Sequence, residues 1–365
     1  MGTLHELFDQ QGQSPWLDNL KRSWITSGEL ERWIERGVRG VTSNPSIFQK
    51  AIEDSEDYTP QLAQLVAAGV DIEEVYWALV VRDISDALGV LRPLHLSSGG
   101  LDGFVSIEVD PRLARDTAGT EAQARTLWDR ISAPNLYVKI PATVQGLPAI
   151  RSMTAEGRNV NVTLIFDLGR YDDVIEAYMS GLEDALDAGV EDLSHISSVA
   201  SFFISRVDTE VERRLAGDGD PRVADVLGTA AVAQARLAYA RFVERFSGER
   251  WNRLRAAGAR PQRPLWASTS TKNPSYPDTL YVDSLIGPAS INTLPDATLV
   301  AFEDHGTVSR TIDMDVDGAR RRWGELGELV DLEDVATTLE AEGLAAFERA
   351  FEELLAVLET RAAGL

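Results

Sequence analysis

Short apolar runs that end in a polar or charged residue recur along the chain, and amphipathic stretches separate them. The runs are PWLDNL near Asp18, GVRGVTSNPS near Asn44, FVSIEVD ending at Asp110, LYVKIPAT around Lys139, NVNVTLIF near Thr163, ISSVASFF near Ser201, PLWASTST near Ser268 and ASINTLP near Asn292. Each has the length of a strand and ends in turn or cap residues. The intervening TAGTEAQARTLWDRIS, DLGRYDDVIEAYMSGLEDALDAG and VADVLGTAAVAQARLAYARFVERF carry apolar residues three and four positions apart, the period of a helix with one buried face. Strand alternating with helix predicts a parallel sheet with right-handed crossovers. Eight such units in 365 residues, with no linker rich in Pro, Gly or Ser, predict an α/β fold. They fit a single (β/α)8 TIM barrel spanning the whole chain better than two doubly wound halves. The gaps after Asn44 and after Ser201 leave room for extra helices. From Asp331 onward the chain reads as one or two terminal helices packed on the outside.

In such a barrel the polar residues at the C-terminal ends of the strands face one site. The expected strands place there Asp18, Asn44, Glu108, Lys139, Asn161 with Thr163, Ser201 with Arg206, and Ser268 with Lys272. Taken singly, an Asn or Ser at such a position is most often a cap at the strand-to-helix turn, and a lone strand lysine is as often a snorkelling edge residue. Taken together, seven strands each ending in a group suited to one reaction are hard to assign to chance. Lys139 is the most telling, because a buried strand seldom carries an ammonium group in its middle. An ammonium that loses its hydration deprotonates more readily, and the free amine attacks a ketone. The resulting iminium withdraws electrons and stabilises a neighbouring carbanion, so a carbon–carbon bond is cleaved or made without a cofactor. Asp18 suits the base that takes the hydroxyl proton beyond the scissile bond. Glu108, acting through a water and aided by Thr163, suits the steps that add and remove water at the iminium carbon. Asn44 and Asn161 suit sugar hydroxyls, while Ser201, Arg206, Ser268 and Lys272 form a candidate anion pocket.

Composition narrows the partners. The net charge of -23 argues against nucleic acid and anionic membrane, so any anionic ligand needs a local cluster of basic groups. With no cysteine, disulfides and thiolate metal sites are excluded, and a reducing cytoplasm is the expected compartment. The N-terminal MGTLHELFDQQGQSPW lacks an apolar signal region, and the longest apolar run, VYWALVV, is far too short to span a bilayer. The four histidines, His5, His95, His195 and His305, are scattered with no ligand pair at metal spacing, so no metal is expected. Only Lys21, Lys50, Lys139 and Lys272 of the 35 basic residues are lysines. Such a skew towards arginine makes a lysine inside a strand stand out, since arginine cannot act as an amine nucleophile.

The stretch GVTSNPSIF resembles the N-terminal signature of transaldolases, and LYVKIPATVQGLPAIRSMTAEGRNVNVTLIF resembles their active-site lysine signature, with Lys139 in the Schiff-base position. The resemblance continues through SVASFFISRVD and WASTSTKNPSYPDTLYVDSLIGPASINTLP, covering most of the chain in the expected order. It implies a barrel of the class I aldolase type that moves a dihydroxyacetone unit from a ketose phosphate to an aldose phosphate in the non-oxidative pentose phosphate pathway. It also implies Asp18 as general acid/base and Glu108 as the water-activating carboxylate. Asn44, Asn161, Thr163, Ser201 and Phe203 match the residues lining the family's sugar site, and Arg206 its phosphate ligand. Many relatives place an arginine soon after the serine matching Ser268, where this chain reads ASTSTKNP; Lys272 is the candidate replacement. The region FEDHGTVSRTID suggests the family's longer bacterial subgroup.

Two other classes compete: a metal-dependent barrel hydrolase or isomerase, and a phosphosugar-binding protein on a decayed barrel. The dispersed histidines argue against the first, and the joint presence of Lys139, Asp18 and Glu108 against the second. A Schiff-base aldolase that releases glycerone remains open. RPLHLSSGGLDG, with Gly99, Gly100 and Gly103, reads as a loop entering the third strand and lacks the spacing of a nucleotide-binding glycine motif. The sequence leaves monomer and homodimer equally open.

Overall fold

The computed structural model describes residues 2–53 and 55–365. The eight apolar runs form the strands β1 (Gln13–Leu17), β2 (Gly40–Val41), β3 (Phe104–Glu108), β4 (Leu136–Pro141), β5 (Val160–Ile165), β6 (Ser198–Phe203), β7 (Arg263–Ala267) and β8 (Ser290–Leu294). They pair in parallel and in sequence order into a closed barrel, with β1 meeting β8 from Gln13↔Ser290 to Leu17↔Leu294. Helices cover the outside, so every strand is buried along its whole length. Burial on both faces explains why these strands read as continuous apolar runs instead of alternating ones.

In the shortest strand, β2, one contact dictates the residue at position 40. A Cβ on Gly40 would lie 2.3 Å from the ring of Trp16. Trp16 is fully buried, and its ring stacks on Phe104, which stacks in turn on Tyr137 at 4.2 Å. Glycine at position 40 therefore admits the indole that fills this part of the barrel.

Among the helices, Thr117–Ile131 begins where the Asp116 side chain accepts from the Gly119 amide and ends at Ser132 in the left-handed region. Leu168–Asp187 is capped in the same way by Asp167. The gap after β2 holds Pro45–Glu53, Thr59–Ala67 and Ile72–Ser97, and the gap after β6 likewise holds several helices. VADVLGTAAVAQARLAYARFVERF departs from the single helix its periodicity suggests. It divides into Val223–Val226 and Ala230–Arg245 around Gly228, whose φ of +70° and close approach to the Tyr276 ring stop the first piece.

The C-terminal segment also corrects an expectation. From Asp331, whose carboxylate caps it, one helix runs Leu332–Ala363, but it does not lie only on the outside. It crosses the C-terminal ends of the strands, packing on the helices Pro45–Glu53, Ile72–Ser97 and Ser205–Leu215 and on β5. Phe347 reaches the interior from it. Periodicity reveals that a helix has a buried face without revealing what that face covers. No helix among the described residues is long and apolar enough to cross a membrane.

The N-terminal end of the barrel is closed by a buried polar cluster. The fully buried carboxylate of Asp102 accepts from Arg39 Nε at 2.6 Å, Ser14 Oγ at 3.0 Å and Arg263 Nη2 at 3.2 Å. Removing it leaves two guanidinium groups without their counter-charge, a loss of about 3–5 kcal/mol. Asp102→Ala should therefore lower the urea midpoint by that equivalent while the catalytic constants of the folded fraction stay within twofold of wild type. Equilibrium unfolding together with steady-state assay checks both.

Candidate active site

Register sets the site. In the parallel pairing Glu108 of β3 lies beside Lys139 of β4, which lies beside Asn161 of β5. Residues paired in this way project to the same side of the sheet, here the barrel interior. Lys139 Nζ is 3.3 Å from Glu108 Oε2 and 3.3 Å from the Ser43 carbonyl, with both side chains almost wholly buried. The 3.3 Å ion pair is not a well-aligned hydrogen bond, and neither oxygen of Glu108 has a hydrogen-bond partner among the described residues. Thr163 Oγ1 is likewise buried and unpartnered. Such unfilled polar groups around a lysine are what a bound water or substrate hydroxyl would satisfy.

A cavity of about 150 Å³ opens above Lys139. Asp18 and Thr42 line one side, Thr163, Ser201 and Phe203 another, and Arg206, Ser268 and Lys272 the rim. Asn44 also lines it while its Oδ1 accepts from the Ile47 amide at 3.0 Å, so the helix-cap and cavity roles coexist. Two expected residues are not exposed to the cavity. Glu108 lies behind Lys139. Asn161 is fully buried beneath the floor, its amide donating to Ser106 Oγ at 3.0 Å and its Oδ1 accepting from Ser201 Oγ at 2.7 Å. Asn161 thus holds Ser201 from beneath the cavity.

Several contributors had no distinct signal in the sequence. Thr42 donates to Asp18 Oδ1 at 2.6 Å and lies 2.6 Å from Thr293 Oγ1. With one proton on Thr42 committed to Asp18, Thr293 must donate to Thr42, which gives a short hydroxyl chain behind the carboxylate. Phe347 places its ring 5.8 Å from Lys139 Nζ. Gly343, one turn earlier, lets the C-terminal helix approach Leu164 and Arg206 closely. Leu164 and Ser268 both have positive φ, +59° and +56°, at the ends of β5 and β7. β5 changes register between Val162 and Ile165, turning its end at Thr163. Non-glycine residues in this region cost about 1–3 kcal/mol each and cluster where a site fixes its own geometry.

The two carboxyls are held towards their protonated forms. Burial raises the pKa of Glu108, opposed by the Lys139 charge, and Asp18 adds to the rise. Burial likewise raises that of Asp18, with the Thr42 hydrogen bond and the charges of Lys139 and Lys272 opposing it. On the rim, Arg206 is half-buried without an ion-pair partner among the described residues, and desolvation lowers its pKa. Lys272 is exposed as a whole and donates to Ser270 Oγ at 2.8 Å. Partial burial of its ammonium, then the Arg206 charge, shift it downward as well. Arg206 and Lys272 are therefore two neighbouring cations with no carboxylate at ion-pair distance among the described residues. No three His, Asp or Glu side chains converge as metal ligands among the described residues. The arrangement offers a buried amine, a carboxyl to move protons at that amine, a second carboxyl across the cavity and a cationic rim.

Comparison with known proteins agrees in its coverage of these elements. The family model described as transaldolase/fructose-6-phosphate aldolase matches residues 15–358. A protein named transaldolase from Parafrankia sp. (strain EAN1pec) is 53% identical over 347 residues, 94% of this chain and 94% of that protein. One so named from Frankia alni is 51% identical over 350 residues, 95% of this chain and 94% of its own. One from Thermobifida fusca is 50% identical over 358 residues, 97% of each.

The raised pKa of Asp18 has a consequence for stability. In the unfolded chain the group titrates near its ordinary value of 3.8, and in the folded protein at a higher pH. Below 3.8 both states hold the proton and the group contributes nothing. As pH rises through the folded value, the folded state loses a proton it holds more tightly, so ionisation subtracts from stability. Asp18→Asn should therefore be more stable than wild type at neutral pH, with the difference vanishing towards pH 3.8. Denaturant titrations across this range check it; a difference that is absent at neutral pH or grows on acidification would contradict the assignment.

Proposed function

The chain belongs to the transaldolase/fructose-6-phosphate aldolase family, and from that premise we propose that it is a cytoplasmic transaldolase of the non-oxidative pentose phosphate pathway. The donor is a ketose phosphate, sedoheptulose 7-phosphate or fructose 6-phosphate, and the acceptor an aldose phosphate, glyceraldehyde 3-phosphate or erythrose 4-phosphate. The observation that carries this reading is the buried Lys139–Glu108 pair under a cavity whose opposite wall is Asp18.

Lys139, as the free amine, attacks the ketone carbon to give a carbinolamine. Glu108, through a water held with Thr163, supplies the proton that lets hydroxide leave as water, and the iminium remains. Its raised pKa suits a group that must carry that proton. Asp18 takes the proton of the hydroxyl beyond the scissile bond, which breaks to release the aldose, while the iminium accepts the electron pair as an enamine. The enamine then adds to the acceptor aldehyde, Asp18 returns the proton to the new hydroxyl, and hydrolysis frees Lys139. Phe203 and Phe347 bound the site with apolar surface, which limits water at the enamine. Ser201 and Asn44 are suited to the sugar hydroxyls, with Asn161 holding Ser201. Arg206, Ser268 and Lys272 are suited to the phosphate.

The defining test is covalent. Fructose 6-phosphate followed by borohydride should leave a dihydroxyacetone-derived adduct on the peptide containing Lys139. A label on Lys21, Lys50 or Lys272, or on none, would overturn the mechanism. Release of aldose beyond one equivalent per chain should depend on added acceptor and leave no free dihydroxyacetone; sustained acceptor-independent release with free dihydroxyacetone would indicate the aldolase reaction instead.

The phosphate assignment predicts a selective loss. In a protein of net charge -23 the local cations must supply the attraction, and each charge-assisted contact contributes about 1.5–3 kcal/mol. Lys272→Ala should raise KM for fructose 6-phosphate about tenfold or more and hardly change the slow turnover of unphosphorylated fructose. Equal effects on both sugars would place Lys272 outside the phosphate seat.

A further inference from the structure

All four lysines of the chain line two adjoining cavities. Lys139 and Lys272 line the catalytic one. Lys21 and Lys50 line a second, of about 490 Å³, which meets the first at Asp18 and Pro295. The remaining basic residues are all arginine, and most of these are spent on carboxylates across the surface. Arg22, which also lines the second cavity, follows that pattern: Asp83 holds it at 2.6 Å and it lies over the Tyr58 ring. Lys21 and Lys50 do not follow it. Lys21 is half-buried with its ammonium 5.2 Å from the Trp24 ring, and Lys50 is exposed on the helix Pro45–Glu53. Neither has a carboxylate at ion-pair distance among the described residues.

The rest of the lining suits a hydroxylated anion. Ser23 and Ser55 also line the cavity, and the Ser55 hydroxyl, which accepts from the Asp57 amide at 3.1 Å, keeps its proton to donate. Asp296 accepts from Asn19 Nδ2 at 3.2 Å and keeps acceptor capacity for a sugar hydroxyl. The volume exceeds that of the catalytic cavity, so a phosphorylated triose or tetrose has room. Lys50 is also close enough to Lys272 to contribute to the downward shift of its pKa, so the two cavities form one electrically connected basic zone.

We propose that the Lys21–Lys50 cavity is a second anion seat, separate from Arg206 and Lys272, that takes the phosphate monoester of a small sugar. Its occupant sits beside Asp18. The added negative charge favours the protonated form of that carboxyl and slows the step in which it acts as a base. This kinetic consequence rests on the proposed role of Asp18; the binding itself does not.

Inorganic phosphate is the probe. Calorimetric titration of the full-length protein should find two phosphates per chain, and Arg206→Ala/Lys272→Ala should retain one of them. Adding Lys21→Met/Lys50→Met should weaken that remaining event about tenfold or more, as expected for loss of charge-assisted contacts. Lys21→Arg/Lys50→Arg should restore it, and circular dichroism should show every variant folded. With sugar phosphates varied below the levels at which they inhibit, phosphate should lower the extrapolated kcat in wild type and leave it unaltered in Lys21→Met/Lys50→Met. Unchanged stoichiometry and affinity on removing both lysines would overturn the site, and binding without any change in wild-type kcat would overturn its coupling to Asp18. Failure of the borohydride adduct on Lys139 would leave the phosphate count untouched, so the two proposals fall separately.

Discussion

A lysine buried inside a closed barrel needs a polar partner that can share its proton, and the strand register supplies one. Because β3 and β4 pair with Glu108 beside Lys139, the two charges lie 3.3 Å apart without any loop having to place them. A slip of one residue between these strands would leave one of the two side chains inside and turn the other out of the interior. Closure of the barrel fixes the register in turn, since β1 must meet β8 along its whole length. The site is therefore as rigid as the barrel itself, which is what a reaction requiring repeated proton transfers over short distances demands.

The two ends of the barrel solve opposite problems. At the N-terminal end, Asp102, Arg39, Arg263 and Ser14 satisfy one another, and that end is closed. At the C-terminal end both oxygens of Glu108 and the hydroxyl of Thr163 lack partners, two carboxyls are held towards protonation, and Leu164 and Ser268 sit in strained backbone. Each of these costs stability, and each lies within reach of the cavity. Unpartnered groups of Glu108 and Thr163 beside Lys139, set against the mutually satisfied Asp102 cluster at the other end, distinguish the candidate site from the part of the barrel that holds the fold.

Much of this is legible in the amino-acid sequence, for physical reasons. Strands covered on both faces must be apolar throughout, so all eight were visible as short runs, and Lys139 stood out against that background. The helix caps Asp116 and Asp167 begin the helices that periodicity indicated. What escaped depends on contacts between segments distant in sequence. The glycine at position 40 of β2 reflects the Trp16 ring against it, and the break at Gly228 reflects the Tyr276 ring. Phe347 is an ordinary apolar residue of an amphipathic helix until that helix is seen to cross the strand ends. Asn161 shares an inward register with Lys139, yet only packing shows that it is consumed by Ser106 and Ser201.

The division between arginine and lysine follows from what each cation does. Among the described residues the ion pairs are made by arginine, apart from those of His305 and the Lys139–Glu108 pair. Arginine's planar fork grips carboxylates in two places, which suits a chain with 58 acidic residues that must be tied down on the surface. The same property makes it a poor choice where an anion has to arrive and leave, or where the amine must deprotonate. Lysine is a compact, strongly hydrated charge on a flexible stem, and it gives up a proton when buried. On the proposed reading, in which a strongly acidic protein acts on sugar phosphates, a small basic zone is needed that its own carboxylates do not neutralise. Confining lysine to the two cavities at the barrel mouth, while arginine engages the surface acids, achieves that separation.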